Sequence, residues 1–145
     1  MTTTTLAQGT RSSSILNLGT LQSATYITSS AIDLGAAIPI DVTFEVEATP
    51  GSAPSGNKQL VLFAKFSLDN TNFGSGPESS NVSTEEADLH FLGVLPMNAT
   101  ALHRKFFSLS GLPTARYMKL VAKNDLGVAL TSGNVYQANI SANSA

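Results

Sequence analysis

The residues best suited to proton transfer or metal binding near neutral pH are two histidines, His90 and His103, and neither has a second histidine at metal-ligand spacing. Both read as structural. Serines are plentiful, but no Gly-x-Ser-x-Gly elbow presents one as a nucleophile. Residues 51–58 (GSAPSGNK) approximate a phosphate-binding loop, with Asn57 intruding between Gly56 and Lys58. A strand is expected after them, so no helix N-terminus would aim its amides at a phosphate, and they read as a glycine-rich turn. Asp69, Thr71 and Gly74 form an oxygen-rich run, but Ser80 stands where a calcium loop needs its bidentate acidic ligand. Glu85, Glu86 and Asp88 read as solvated acidic side chains on a loop. The expectation is a non-enzymatic chain with no catalytic residue, no metal ligand and no cofactor.

The bulk composition bounds the alternatives. With 145 residues the chain suits one domain that closes a core without metals or disulfides, and it has no cysteine to form either a bridge or a thiolate site. Charged residues make up 12% of it, about half the usual share. Ser, Thr, Asn and Gln must therefore carry solubility, and a polar but uncharged surface loses little when another protein covers it. This leans toward assembly. The net charge is -2, with Lys and Arg scattered singly or in pairs, which predicts no nucleic-acid partner. No segment has membrane-spanning length, and residues 1–9 lack the basic start and apolar run of a secretory leader, so no membrane partner and cytoplasmic synthesis are expected. On that expectation the Asn-x-Ser/Thr triplets at Asn81, Asn98 and Asn139 are coincidental in a chain of this composition.

The elements that would position these residues are strands. Residues 1–11 are threonine-rich and poor in apolar side chains, which predicts a flexible arm that orders only against a neighbour. The domain proper is expected over 12–145. Short strands are expected around Ile15 to Leu18, at 24–28 and at 31–34. Over 40–48, Ile40, Val42, Phe44, Val46 and Ala48 alternate with Asp41, Thr43, Glu45 and Glu47, the pattern of a half-buried strand. A turn-rich loop at 49–58 precedes a nearly continuous apolar strand at 59–68, expected near a sheet centre. A long surface connection follows at 69–88. Further strands are expected at 89–95, 105–109 and 116–123, the last returning through an Asn124–Gly127 turn as a hairpin over 128–130. The final strand, 135–142, carries Tyr136, Ala138, Ile140 and Ala142 on one face and Gln137, Asn139 and Ser141 on the other. Helix should be minor, at most one turn around 98–103. About eight strands remain, predicting an all-β antiparallel β-sandwich or jelly roll with a flexible N-terminal arm.

Adjacent Phe106 and Phe107 must face opposite ways on a strand, so one either meets an interface or is covered within the sandwich. Together with the arm and the two loops, this nominates Thr2, Thr3, Thr4, Thr5, Leu6, Pro54, Phe73 and Phe107 as partner-binding residues.

Three segments carry a resemblance. Residues 67–73 (SLDNTNF), 91–96 (FLGVLP) and 112–121 (LPTARYMKLV), continued by 123–127 (KNDLG), resemble a pattern in small virion proteins of tailed bacteriophages: a strand ending in a Ser-x-Asp turn with a nearby aromatic, then an Arg-Tyr-x-Lys-Leu strand before an Asn-rich hairpin. The likeness covers roughly the last two thirds of the chain. It implies a sandwich that decorates or cements a capsid, binding the major capsid protein as a homotrimer on the virion surface. It implies no catalytic residues. A tail, neck or fibre-associated protein shares these features, and so does a carbohydrate-binding sandwich, which would need Tyr26, Tyr117 or Tyr136 exposed in a groove beside Asn and Asp.

Overall fold

Alternation from position 41 onward puts Val42, Phe44, Val46 and Ala48 on one side of a strand, and that side is buried almost completely. The same period-two logic operates throughout. The computed structural model describes residues 2–144, in which ten strands form: β1 (Thr4–Gln8), β2 (Leu16–Asn17), β3 (Tyr26–Thr28), β4 (Ile32–Asp33), β5 (Asp41–Pro50), β6 (Gln59–Ser67), β7 (His90–Pro96), β8 (His103–Ser108), β9 (Tyr117–Asp125) and β10 (Leu130–Ser144). One sheet runs β1-β10-β5-β8, with β2 also on β10; the other runs β3-β9-β6-β7, with β4 also on β9. Every pairing between them is antiparallel. The protein is therefore an antiparallel β-sandwich, with two more strands than the eight or so expected, the shortest being two residues long.

The core fills the space between the sheets. Phe44, Val46 and Val135 of the first sheet meet Leu60, Leu62, Met118 and Leu120 of the second, and Leu18, Met97 and Leu126 close the ends. β6 is buried on both sides, as its unbroken apolar run requires. Its outer side, Val61 and Phe63, clusters with Tyr26 of β3 and Val121 of β9 in the same sheet, and Leu89, from the connection after β6, packs onto them.

β7 shifts register against β6 between Leu62 and Phe63, next to Gly93. A side chain at Gly93 would stand 2.5 Å from the Phe107 ring, so only glycine lets that ring enter the core. Gly93→Val should cost about 1–3 kcal/mol in urea unfolding, with an unchanged denaturant slope, through overpacking.

Four expectations are corrected. Residues 4–8 are not an arm waiting for a neighbour: they pair with residues 140–144 of the same chain, because threonine and leucine suit an extended edge strand whatever their low apolar content. Residues 99–101 form bends rather than a helical turn, and His103 opens β8; among the described residues the one 3-10 turn lies at Glu86–Asp88 instead. The Asn124–Gly127 turn makes no hairpin: it carries the chain from β9 in one sheet to β10 in the other. There Leu126 and Leu130 sink into the end of the core, and that burial draws the chain across. Finally, Ile40 lies outside β5 and is 63% exposed.

Candidate contact surfaces

The 69–88 connection is held down on the second sheet by charge. Lys65 points outward from β6 yet is buried, and its ammonium donates to the Gly76 carbonyl at 2.9 Å and to Glu78 Oε1 at 3.0 Å. Lys119 reaches the same oxygen at 3.4 Å while its ammonium sits over the Phe73 ring. Further along, Glu86 accepts from Lys123 Nζ at 2.9 Å and from the Tyr26 hydroxyl. The hydrogen bond from Lys65 lowers the Glu78 carboxyl below its ordinary value, and that from Tyr26 does the same for Glu86. Burial in turn raises the Tyr26 phenol. Asp69 opens the loop by accepting from the amides of Asn72 and Thr71, the Asn72 side chain and the Ser67 hydroxyl. Those bonds hold its carboxyl well below the usual range and fill the oxygens that a cation would need.

On the outer face of the first sheet, Glu45 takes Arg11 and Arg104 at 3.0 and 3.1 Å, and Glu47 takes Arg104 at 2.5 Å and the Tyr136 hydroxyl at 3.1 Å. The Arg11 guanidinium covers the Tyr136 ring at 3.5 Å. A shallow cleft here is lined by Arg11, Thr43, Glu45, Phe106 and Tyr136. Each charge in it is compensated by a neighbour, so its chemistry is that of a neutral contact surface. At the opposite sheet, Arg116 forks Asp33 at 2.8 and 3.0 Å. With the Gly35 amide, it lowers the Asp33 carboxyl to about 2. An NMR titration of the Asp33 carboxyl carbon should show that midpoint, moving up toward the ordinary aspartate value in Arg116→Gln.

The residues nominated from the sequence scatter. Pro54 is buried, because its loop hydrogen-bonds onto residues 126–129 through Ser55 N to Leu126 O and Gly51 N to Ala129 O. Phe107 is in the core and Phe106, at 60% exposure, is the outward member of the pair. Phe73 is half-buried beneath Lys119. Thr2 and Thr3 precede β1, and Thr4, Thr5 and Leu6 lie within it; all five are exposed. Of the tyrosines a sugar would need, Tyr26 is buried, the Tyr136 ring is covered by Arg11, and Tyr117 is half-buried with the Arg116 guanidinium 5.1 Å from its ring centroid. Missed were Ile38 and Ile40, which line an open groove with Asn139 and Ser141. Ile38 lies in the connection before β5, where no periodicity signals a face, whereas Ile40 continues the apolar alternation of β5 but stands one residue before the paired strand begins, so the face it implies is not covered there.

No protein-family model and no curated protein matches this chain.

Proposed function

We propose that the chain is a non-enzymatic virion structural protein, a capsid decoration or cement protein that stabilises a phage head by binding the major capsid protein noncovalently. The observation that carries this reading is a set of large apolar side chains left in solvent: Leu6, Ile40, Leu68, Phe91, Leu102 and Phe106. Apolar side chains in solvent gain when another protein covers them, and a chain with 12% charged residues sets few charges beside them. The likeness of the Ser67–Phe73 turn and the Arg116–Tyr117 strand to small phage virion proteins supports the same reading. In it the protein is made in the host cytoplasm and resides as a homo-oligomer on the capsid surface.

The test is co-sedimentation of the purified protein with capsids that lack it. Binding that saturates at a fixed ratio to the major capsid protein is expected, and Phe106→Asp and Ile40→Asp should each reduce it at least tenfold if those side chains enter the contact. Absence of binding, with assembly into rings or onto fibres instead, would transfer the protein to the tail. Saturable glycan binding would make it a carbohydrate-binding module.

A further inference from the structure

All eight Lys and Arg residues and all ten Asp and Glu residues lie between Arg11 and Asp125, so residues 1–10 and 126–145 contain no charged side chain. Those two segments are the ones that β1 and β10 bring together. β10 pairs with β5 only as far as Ile140, opposite Asp41, whereas its pairing with β1 continues to Ser144, opposite Thr4. The sheet thus runs out into a two-stranded ribbon, 4–7 against 141–144, with nothing paired on either side among the described residues. A two-stranded ribbon is marginal by itself in water and gains from a third strand.

The sheet edges differ in how they are protected. β8 carries Arg104 and Lys105, and Lys105 crosses to the Val94 carbonyl of β7, which ends in Pro96. β3 is bridged by the loop through Tyr26 N to Ser80 O and through Thr28 Oγ1 to Glu78 O. β1 (TTLAQ) has no charge, no proline and no covering segment among the described residues. Gly9 N donates to Asn139 O, which by alternation directs Thr5 and Ala7 toward β10 and turns the backbone groups of Thr4, Leu6 and Gln8 to the open edge.

We infer that this edge takes a second copy of the same chain, through antiparallel β1–β1 pairing about a two-fold axis at Leu6. The inference goes beyond the capsid reading and does not depend on it. Self-pairing is favoured because a segment placed against its own copy meets each of its charges again, and this one has none. The register is also complementary to itself. Leu6, 68% exposed, lies opposite its symmetry mate, Thr4 lies opposite Gln8 and the small Thr5 opposite the small Ala7, so no charge and no clash of bulk opposes the pairing. The two outer sheets become one continuous sheet through the contact.

The whole protein should double in mass from 15.1 kDa with rising concentration in sedimentation velocity. Leu6→Lys, which sets two ammonium groups face to face, and Leu6→Pro, which removes an edge donor but no β1–β10 bond, should each keep it monomeric, with the melting temperature of the dilute wild-type monomer. A wild type that stays monomeric at the highest soluble concentration overturns the inference. So do a dimer that survives both variants and a trimer, which one two-fold contact cannot build. Loss of capsid binding with the dimer intact would refute the decoration reading alone.

Discussion

Asn124→Ala should destabilise the protein by about 3–4 kcal/mol in equilibrium urea unfolding, the largest effect expected of a polar residue here. Asn124 is fully buried at the corner where the chain leaves β9 for β10. Its amide donates to the Leu21 and Val128 carbonyls, both at 2.9 Å, and its Oδ1 accepts from the Leu126 amide at 2.9 Å. Truncation removes three bonds and strands the groups that made them; Leu21 O alone keeps another donor, Leu130 N at 3.0 Å. Asn124→Asp, nearly identical in shape, should be at least as harmful at pH 7, because a carboxylate would face two carbonyl oxygens in a buried site. If Asn124→Asp matched wild type in midpoint, the corner would not depend on those donors.

Replacing both Glu78 and Glu86 by alanine should cost roughly 2–4 kcal/mol and release residues 69–89 from the second sheet. Solvent screens the share of Glu78, whose side chain is 43% exposed. Most of the loss comes from Lys65, whose side chain is 5% exposed and would keep only the Gly76 carbonyl. Removing the buried charge instead, in Lys65→Met, should be milder, since an apolar chain of similar length leaves no ammonium to satisfy. Acid should act as the double substitution does. Both carboxyls are held below their ordinary values, so the unfolded chain protonates first as pH falls. The stabilisation is present above the unfolded value of about 4.3 and is lost as pH drops through the lower folded values. Hydrogen exchange should show residues 73–88 opening at pH 3 while β5 and β6 remain protected. Equal protection at pH 3 and pH 7 would mean that the apolar contact of Leu89 with Tyr26 holds the loop alone.

Much of the architecture is legible in the residues. The alternation of β5, the unbroken apolar run of β6 and the turn-forming loops between them specify a two-sheet antiparallel protein with little helix, because strand period and backbone geometry are local properties. Periodicity also says which residues share a face. It groups Tyr136, Ala138, Ile140 and Ala142, and it places Phe106 opposite Phe107. Which face looks inward was decided only by packing: β10 turns Tyr136 toward Glu45 on the outside, since its register with β5 puts Val135 beside Val46. Phe107 rather than Phe106 enters the core because Gly93, on a strand of the other sheet, leaves room for its ring. The same holds for the candidate surfaces. Pro54 is buried in a loop that hydrogen-bonds onto Leu126 and Ala129, and residues 4–8 find their partner at the far end of the chain. The absence of charge from both ends is written in the sequence, but its meaning depends on one strand pairing that joins residues more than a hundred positions apart. Local chemistry chose the strands; long-range register chose what each strand shows to solvent.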